Sequence, residues 1–527
     1  MVEIDGHSLG LEEIHRVVSG REQVALSKES ITRIKQSRGW VEKFTRDGKP
    51  VYGINTGFGV FAEKKISLED TRRLNRNLIL SHSVGTGDNL PVEIVRAALL
   101  IRANSLAKGL SGVRLVLVTT LLDMLNQGVH PIIPSQGSLG SSGDLAPLSH
   151  LGLVVSTDDD DLEEHSGYAS FQGKTYSGKE AMAKAGISRI ILEEKEGLAL
   201  NNGATFSAAI ACLVCSETIK LLANSEISLS LSLESLQGIS SAFDPRVHES
   251  RHHPGQIKFA KRILAITQGS TLLDSTTRVQ DAYSLRCSPQ VHGPVYETLD
   301  YAQGVIEREI NAATDNPLIF PEGEAISGGN FHGEPVGLVM DFIKISLSEL
   351  ASISERRIYR LTNGHLNQGL PPMLVDNHQA AGLNSGMMMP QYTAASLVLE
   401  NRSLASPDSI FSLPTSASQE DHNANAMTAA RRALQVVKNT RHILAIELYT
   451  AARALDLRLR AVPDLHPGKG TAAAHRIIRD QVPYQAGDAL WGPEIEQVRN
   501  LIESGQLLSG VNKVINNTSS PERSTDR

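Results

Sequence analysis

A segment rich in glycine and serine, GSLGSSGDLAPLSH at residues 137–150, contains the residue types that a backbone cyclisation needs. The nitrogen of Gly143 has no side chain to hinder it and can attack the carbonyl carbon of Ser141, while Ser142 loses its hydroxyl group as water. The product carries an electrophilic methylidene group, which ordinary side chains cannot provide. A flexible linker is the alternative, but linkers do not lead through DLAPLSH into an apolar helix. The sequence therefore predicts a self-formed electrophile that requires neither a metal ion nor a diffusible cofactor.

A second motif, HESRH at residues 248–252, matches the H-E-x-x-H pattern of zinc peptidases. That site requires a sustained helix, which brings both imidazoles to one zinc ion. Pro245 precedes the motif and HPG follows it at 253–255, so there is room for about two helical turns. We therefore interpret the motif as a loop and predict no metal site. A zinc hydrolase is the alternative function.

The remaining short motifs are weaker. Cys212 and Cys215 form C-x-x-C inside an apolar run, which predicts buried helix positions rather than a redox or zinc site. The pattern G-x-G-x-x-A at residues 57–62 resembles a dinucleotide-binding loop, but the strand and helix that such a loop requires are not indicated around it. A phosphate-binding loop motif does not occur in the chain.

Composition excludes several classes of protein. The 527 residues carry 51 Lys and Arg against 58 Asp and Glu, a net charge of -7, so nucleic acid is not an expected partner. The first residues include Glu3 and Asp5 where a signal peptide has a basic start. Apolar windows such as Val113–Leu125 and Phe206–Cys215 are shorter than the ~18 residues of a membrane-spanning helix. We expect a cytoplasmic protein that is not embedded in a membrane.

Helical periodicity is strongest between Pro335 and Arg357. Apolar residues recur there at spacings of 4, 3, 4 and 3, which predicts one seam of a helical bundle. The seam consists of Val336, Met340, Ile343, Leu347 and Leu350. The other faces also carry apolar residues, namely Val339, Phe342, Ile345 and Ile353. We therefore expect this helix to be buried all round.

Similar patterns predict a mainly α protein, a long-helix bundle with a small mixed N-terminal lobe. Strand-like alternation is confined to short pieces such as Val2–Asp5. The expected domains are an N-terminal lobe at 1–110, a helical bundle at 111–515 and a disordered tail at 516–527. The additional predicted helices are Val92–Leu106, Tyr301–Ala313, Tyr392–Ser403, Ala426–Leu455 and Pro493–Glu503.

Several further segments occur in order along the chain between Val2 and about Asn500. They are YGINTGFG at 52–59, EGLALNNG at 196–203, RVHESRHHPGQI at 246–257, QDAYSLRC at 280–287, TDNPLIF at 314–320, SGGNFHGEP at 327–335 and LPTSASQEDH at 413–422. Together with the cyclising segment, they resemble the aromatic amino acid ammonia-lyase and aminomutase family. The resemblance implies a fumarase/aspartase-like fold, a homotetramer with shared active sites, and a 4-methylidene-imidazol-5-one group formed from Ser141-Ser142-Gly143. The zinc-like motif at 248–252 is part of one of these family segments.

Three features resemble the histidine-specific members of this family. They are Ser81-His82, the QEDH sequence at 419–422, and Met388. An imidazole needs both an acceptor and a donor, which a His and a Glu side chain can supply and a Phe-Leu pair cannot. The resemblance therefore implies elimination of ammonia from L-histidine to give trans-urocanate. A histidine 2,3-aminomutase that forms β-histidine is the alternative.

The resemblance also implies roles for individual residues. Tyr52 is the expected base for the substrate β-proton, a role that requires a partly deprotonated phenol. Arg286 is expected to bind the substrate carboxylate with both arms of its guanidinium group. Tyr283 is expected to assist departure of the amine. Asn202 and Gln280 are expected to hydrogen-bond the substrate carboxylate or the prosthetic ring, and Phe331 is expected to shield the site from water. His82 and Glu420 are expected to bind the imidazole, and Glu420 is also available to the amine. Met388 is expected to line the pocket.

The chain departs from the family pattern at several positions near this site. Ser141 replaces the usual Ala of the cyclising triplet, and we expect tolerance because cyclisation uses its carbonyl group. Asn201 and Ala204 replace an apolar residue and a Thr beside Asn202. After QEDH, the usual V-S-M is replaced by the sequence NAN at 423–425. The asparagines could supply hydrogen bonds that retain the unsaturated acid, which keeps the aminomutase alternative open.

Overall fold

The structure is a computed structural model that describes residues 1–48, 51, 53–57, 64, 66–376 and 382–517. Helices account for 61% of the residues and strands for 7%. The predicted fold class, mainly α with small mixed elements, is therefore confirmed. The four longest described helices are α9 (Thr205–Ser235), α13 (Ser288–Glu309), α14 (Glu334–Thr362) and α16 (Ala426–Ala461).

Backbone contacts divide the chain into two compact units. The first unit holds residues 1–216, 302–341 and 407–434, and the second holds 217–301, 342–406 and the residues from 435 onward. Residues on both sides of position 110 thus belong to the first unit. The division into an N-terminal lobe and a bundle stays a prediction.

The first unit combines short sheets with helices of moderate length. Its helices are α1 (Leu11–Ser19), α2 (Lys28–Asp47), α3 (Leu68–His82), α4 (Val92–Ala107), α5 (Leu115–Gln127), α6 (Leu145–Val155), α7 (Gly178–Lys184) and α8 (Glu196–Asn201). Its strands are β1 (Val2–Ile4), β2 (Val24–Leu26), β3 (Thr86–Asn89), β4 (His130–Pro131), β5 (Pro134–Gln136), β6 (Ser156–Thr157), β7 (Tyr168–Phe171), β8 (Lys174–Ser177), β9 (Ile190–Ile191), β10 (Leu318–Ile319) and β11 (Ala325–Ile326).

The strands of the first unit form five small sheets. β1 pairs with β2 and β6 with β9 in parallel, while β3–β5, β10–β11 and the three-stranded β4–β7–β8 sheet are antiparallel. Val41, Ile54 and Ile319 form one buried apolar cluster of this unit. The predicted strand at Val2–Asp5 corresponds to β1.

The second unit is helical in its described residues. Its shorter helices are α10 (Pro245–Glu249), α11 (Pro254–Ile266), α12 (Tyr283–Arg286), α15 (Met388–Leu404), α17 (Lys469–Gln481), α18 (Trp491–Glu503) and α19 (Gln506–Asn517). Ala351, Ile358, Ala394, Val398 and Ile443 belong to an apolar cluster in its core.

Local sequence signals explain several helix ends. The Ser27 side chain accepts from the Ser30 nitrogen at the start of α2, and Gly48 ends that helix at a φ of 67°. Ser67 caps α3 in the same way through the Asp70 nitrogen. At Gly128, a φ of 81° ends α5, a conformation that glycine adopts without a Cβ clash.

The predicted helix boundaries agree with the structure to different degrees. α4 matches its predicted range within one residue, whereas α13 begins 13 residues before the predicted start at Tyr301 (288 against 301). Pro294 lies inside α13, and such a residue weakens the sequence signal for a continuous helix. α19 ends at Asn517, so the helix includes the first two residues of the predicted tail. The rest of that tail lies outside the described residues.

The predicted seam of α14 is confirmed, but the expectation that the helix is buried all round is wrong. Val336, Met340 and Ile343 of the seam are buried. Phe342 and Ile345 are 42% and 45% exposed. Periodicity identifies residues that share a face, but it does not indicate whether a second face is also covered within the chain. α14 therefore presents an uncovered apolar face.

The apolar run around Cys212 is longer than the sequence windows indicated. α9 has 31 residues and a mean hydropathy of 1.7 in its most apolar stretch, which meets the length and composition of a membrane span. The expectation that this apolar window is too short is therefore wrong. Two thirds of that stretch (67%) is buried inside the protein, as in a core helix of a bundle. The predicted burial of Cys212 and Cys215 is confirmed, and burial raises the pKa of Cys215 to about 12.

A buried ion pair connects helices of the second unit. Glu447 of α16 accepts from Arg357 Nε at 2.5 Å and Nη2 at 2.8 Å, and both side chains are fully buried. The hydroxyl groups of Ser232 and Ser354 donate to the same carboxylate at 2.7 and 2.5 Å. The carboxylate thus joins residues of three helices. Removing it would leave the Arg357 charge buried without its counter-charge.

We predict that Glu447→Ala lowers the free energy of unfolding by about 3 to 5 kcal/mol, because an uncompensated buried charge remains. Urea denaturation followed by circular dichroism measures this loss. Glu496→Ala is the matched control, because Glu496 is 50% exposed and binds Arg499 and His442 at the surface. Its expected cost is about 0 to 1 kcal/mol. Equal losses in the two variants would contradict the prediction.

Candidate active site

The cyclising triplet lies in a tight loop between β5 and α6 in the first unit. Gly140 and Gly143 have φ angles of +63° and +82°, which glycine adopts without a steric penalty. Ser141 is 4% exposed, so the backbone of the triplet is largely removed from solvent. The loop therefore folds back on itself at the residues that the sequence predicts to react.

The backbone of Gly143 lies directly against that of Gly203. The two residues form a parallel bridge, and the nitrogen of Asp144 donates to the Gly203 carbonyl at 2.8 Å. A Cβ on Gly143 would overlap the backbone nitrogen of Gly203, and a Cβ on Gly203 would overlap Arg102 and Thr314. Glycine is therefore required at both positions of this contact.

Asp144 fixes the loop from the side of α6. Its carboxylate is fully buried and accepts from the Ser138 hydroxyl at 2.8 Å, the Ser207 nitrogen at 2.7 Å and the Ser207 hydroxyl at 2.9 Å. Burial raises the pKa of Asp144, while these hydrogen bonds act in the opposite direction. The sequence interpretation gave this residue no role. Its place immediately after the triplet, at the start of a helix, was the available signal.

Asn202 holds the triplet from the opposite side. It follows α8, and its Nδ2 donates to the carbonyl oxygen of Ser142 at 2.5 Å. The side-chain oxygen of Asn202 is buried and has no hydrogen-bond partner among the described residues. One polar atom of Asn202 thus remains available beside the triplet.

Arg102 supports this turn from the α4 helix. Its guanidinium group donates to the carbonyl oxygen of Ala199 at 3.2 Å and to the hydroxyl of Thr205. Arg102 is fully buried, and burial lowers its pKa to about 10. No sequence motif indicated this residue, because its contacts are about a hundred residues away along the chain.

Glu420 contacts the triplet, and His82 lies within electrostatic range of Glu420. The hydroxyl of Ser142 donates to Glu420 Oε1 at 2.7 Å, and the Thr415 hydroxyl donates to Glu420 Oε2 at 3.2 Å. Burial lowers the pKa of His82 at the end of α3, and the carboxylate of Glu420 is close enough to oppose that shift. Burial therefore favours the neutral form of the His82 ring. A neutral imidazole offers one donor and one acceptor.

Phe331 lies in a turn that is attached to the same loop. Two residues later, the nitrogen of Gly333 donates to the Gly140 carbonyl at 2.8 Å. A Cβ on Gly333 would come within 2.5 Å of that carbonyl oxygen. The imidazoles of His332 and His422 stack with ring centres 6.0 Å apart, which joins this turn to the QEDH segment.

The structure thus brings together one part of the predicted site in the first unit: Ser141, Ser142, Gly143, Asn202, Glu420 and His82, with the Phe331 turn beside them. The remaining described residues, Gln280, Tyr283, Arg286 and Met388, belong to the second unit. Tyr52 lies outside the described residues.

In the second unit, Tyr283 and Arg286 lie at the two ends of α12. The Arg286 guanidinium lies 4.8 Å from the centre of the Tyr283 ring, and its Nε donates to the Asp281 carbonyl at 2.8 Å. Tyr283 is 70% exposed. Gln280 is exposed as well, and Met388 begins α15. Tyr283 and Arg286 form a pair whose remaining guanidinium nitrogens can bind an anion.

The zinc-like motif does not form a zinc-binding helix. α10 has five residues and includes His248 and Glu249, so the interpretation of the motif as a loop is wrong for these two residues. The helix stays within the two turns that the flanking prolines allow. Both ring nitrogens of His248 have partners in the chain, the Ala242 carbonyl at 3.0 Å and the Gln256 amide at 2.9 Å. His248 thus serves as a structural residue.

The residues that depart from the family pattern form hydrogen bonds within the protein. The nitrogen of Ala424 donates to the Ser141 hydroxyl at 2.9 Å, a bond that an alanine at 141 could not accept. Asn425 has a φ of 51° and donates to the carbonyls of Asp408 and Phe411. Asn201 donates to Ser149, and Asn423 donates to the Leu413 carbonyl. Each of the three asparagines thus donates at least one hydrogen bond inside the protein, while the side-chain oxygens of Asn201 and Asn423 are buried without a partner among the described residues.

Comparison with known proteins agrees with this geometry. A model of the aromatic amino acid lyase family matches residues 9–480. A histidine ammonia-lyase of Caldanaerobacter subterraneus subsp. tengcongensis is 49% identical over 509 residues, which cover 96% of this chain and 97% of the relative. The crystal structure of a histidine ammonia-lyase from Trypanosoma cruzi has a TM-score of 0.88 at 37% identity, covering 97% of this chain and 95% of its own. A tyrosine aminomutase from Streptomyces globisporus has a TM-score of 0.90 at 34% identity, covering 97% and 98%.

The fold and the triplet loop thus define a lyase-type scaffold of the kind that these relatives share. The chain belongs to the aromatic amino acid lyase family. The predicted family is confirmed.

We predict that Ser141→Ala lowers the free energy of unfolding by about 1 to 3 kcal/mol, because the buried nitrogen of Ala424 loses its acceptor. Thermal and urea unfolding measure the change. Ser403→Ala, at an exposed position of α15, is the control and is expected to change stability by no more than about 0.5 kcal/mol. An unchanged Ser141→Ala protein would mean that the Ala424 bond contributes nothing.

Proposed function

We propose that the protein is a histidine ammonia-lyase, which eliminates ammonia from L-histidine without oxidation and releases trans-urocanate. The observation that carries the proposal is the His82 and Glu420 pair beside Ser142. A phenylalanine or tyrosine site would not need a neutral imidazole and a carboxylate there, since neither substrate has a ring nitrogen to match them. Relatives of 45–49% identity over nearly the whole chain bear this name.

We further propose that Ser141, Ser142 and Gly143 form 4-methylidene-imidazol-5-one as the prosthetic group. The surrounding residues fit this reaction. Gly143 has no side chain beside its nitrogen, and the Ser142 hydroxyl group that has to leave is hydrogen-bonded to Glu420. When present, the group supplies an electrophile for the substrate amine.

The residues around the triplet have distinct roles in this proposal. Asn202 donates to the Ser142 carbonyl oxygen, the atom that remains as the carbonyl of the ring, and so stabilises negative charge there. Glu420 accepts a proton from the substrate amine. His82, in its neutral form, hydrogen-bonds the substrate imidazole.

The other proposed roles follow the family pattern. Arg286 binds the substrate carboxylate, and its hydrogen bond to Asp281 fixes the direction of the guanidinium group. Tyr283 assists departure of the amine, Gln280 hydrogen-bonds the carboxylate or the ring, Met388 contributes to the pocket and Phe331 excludes water. Tyr52 is proposed as the base for the β-proton.

A histidine 2,3-aminomutase is the second candidate, and the fold similarity to a tyrosine aminomutase keeps it open. Both reactions remove ammonia first. A lyase then releases the unsaturated acid, whereas a mutase retains it until ammonia adds to the β-carbon. The amide donors of Asn201, Asn423 and Asn425 bind groups of the chain itself, which favours release. A zinc hydrolase is disfavoured because both ring nitrogens of His248 are already bonded within the chain.

We propose that the enzyme is a cytoplasmic homotetramer. The uncovered face of α14 supports assembly, because Phe342, Ile345 and Tyr359 are each more than 40% exposed. Tyr301 of α13 extends this surface, with its ring centre 6.3 Å from that of Phe342. Contiguous exposed apolar residues of this kind are typical of protein interfaces. L-Histidine is the proposed small-molecule partner, and no nucleic acid or membrane partner is proposed.

We predict that the intact mass of the purified chain is lower by two waters than the mass of its sequence, because cyclisation and dehydration each release one. Electrospray mass spectrometry measures this difference. Ser142→Ala is expected to have the full mass of its own sequence. Ser141→Ala is the matched control and should still lose two waters, since the reaction uses the carbonyl at 141. A full-mass wild-type protein would contradict the proposed group.

We predict that incubation with L-histidine yields urocanate, followed by near-ultraviolet absorbance, without accumulation of β-histidine in amino-acid chromatography. Phenylalanine should be a poor substrate, because its ring has no nitrogen to hydrogen-bond with His82 or Glu420, at about 1 to 3 kcal/mol for each lost hydrogen bond. If β-histidine appears early and exceeds urocanate, the mutase proposal replaces the lyase proposal.

The His82→Phe variant tests the proposed imidazole contact. It is expected to lower kcat/KM for histidine at least about tenfold, since one hydrogen-bonding partner of the substrate is lost. His15→Phe, on the exposed side of α1, is the control and should retain the activity of the unmodified protein. Unchanged turnover in His82→Phe would remove the imidazole contact from the proposal.

A further inference from the structure

A cavity of about 230 Å³ lies inside the second unit, behind the loop that carries Tyr283 and Arg286. Arg278, Gln280 and Asp281 line one side of it, and Arg360 and Gln368 line another. Its volume is several times the ~30 Å³ of a water molecule in the liquid. The cavity therefore has room for a small polar molecule or ion.

This cavity is lined by different residues of the loop from Tyr283 and Arg286. Leu285 is buried and lines it, whereas Tyr283 and Arg286, which flank Leu285 in α12, do not. Tyr283 is instead 70% exposed. The cavity is thus separate from Tyr283 and Arg286, and it shares Gln280 with the groups that are proposed to contact histidine.

Arg278 brings to the cavity a guanidinium nitrogen without a hydrogen-bond partner in the described part of the chain. Its Nη2 donates to the carbonyls of Leu236 and Gln237 at 3.1 and 2.9 Å and to Asp281 at 2.7 Å. Its Nη1 is buried and has no partner among the described residues. A buried guanidinium nitrogen without an acceptor is costly, so an acceptor within the cavity would stabilise it.

Arg360 and Arg458 add further positive charge. Arg360 has one long hydrogen bond, 3.4 Å to the Leu366 carbonyl, and burial together with the nearby Arg278 lowers its pKa. Arg458 donates to the carbonyls of residues 235, 367 and 368, and burial and Arg278 lower its pKa to about 10.

These three arginines face a single carboxylate. Among the described residues, Asp281 is the acidic side chain hydrogen-bonded to any of them. Asp281 is itself shared, because it also accepts from the nitrogen of Ile239 at 2.7 Å. Arg278 and Arg360 line the cavity together with Asp281, and Arg458 lies next to Arg278 without lining the cavity. Counted with Arg458, the three positive charges exceed the one negative charge by two.

We propose that this cavity is a binding site for a small dianionic oxyanion of the phosphate type. Such an ion matches the excess charge, and planar guanidinium groups bind phosphate oxygens with two parallel hydrogen bonds. Arg278 Nη1 and the Arg360 guanidinium are the principal donors, and the amides of Gln280 and Gln368 can complete the shell. The bound ion contacts both the Arg278–Arg286 loop and Arg360 of α14. It thereby restricts the motion of the loop.

Thermal unfolding of the full-length protein at pH 7 tests this site, with sodium phosphate compared with sodium chloride at equal ionic strength. We expect phosphate to raise the Tm saturably, as a ligand that binds the folded state does. Titration calorimetry then gives the dissociation constant. Acetate is the comparison ligand in a second titration. It is expected to bind at least about tenfold more weakly than phosphate, because it carries half the charge of the phosphate dianion. Tighter binding of acetate would replace the phosphate site by a carboxylate site, and an equal Tm in phosphate and chloride would overturn the proposal.

Substitutions at individual arginines test whether phosphate binds in this cavity. Arg360→Gln is expected to weaken phosphate binding at least about tenfold, and Arg360→Lys, which retains the charge, should weaken it less. Arg476→Gln, at an exposed position of α17, is the matched control and should bind phosphate like the unmodified protein. Arg286→Gln should also retain binding. Loss of binding in Arg286→Gln but not in Arg360→Gln would assign the ion to the substrate-carboxylate group instead. These measurements need no turnover, so their outcome is independent of the proposed lyase activity.

Discussion

The contact between the backbones of Gly143 and Gly203 is the constraint on which the active site depends. Neither position has space for a Cβ. The side chains of Arg102 and Thr314 pack against Gly203. The contact brings Asn202 to the Ser142 carbonyl and lets Asp144 bind Ser207. A loop and a turn that are 60 residues apart therefore behave as one rigid piece.

Local patterns predicted much of the fold. The seam of α14 followed from the spacing of Val336, Met340 and Ile343, because periodicity depends only on neighbouring residues. The exposure of Phe342 and Ile345 could not be predicted in this way, since it depends on which elements cover that face. The start of α13 was also missed, because Pro294 interrupts the helical signal.

The sequence predicted those residues of the site that lie within short continuous motifs. The triplet at 141–143 and Glu420 follow from short segments, and the structure brings Ser142 and Glu420 into hydrogen-bonding contact. The roles of Asp144 and Arg102 were missed, since their partners are distant in sequence. Ser141 was expected to be merely tolerated, yet it accepts a bond from the Ala424 nitrogen. The role of Tyr52 stays a prediction.

The make-up of the first unit has a consequence for biosynthesis. Its three segments end at residues 216, 341 and 434, so the ribosome must synthesise more than four fifths of the 527 residues before this unit is complete. The triplet emerges early, but Gly333 and Glu420, which hold its loop and its hydroxyl group, emerge hundreds of residues later. A chain that stops before residue 420 therefore lacks the environment that its own triplet requires. If the triplet cyclises as proposed, we expect that reaction to wait until translation is nearly complete.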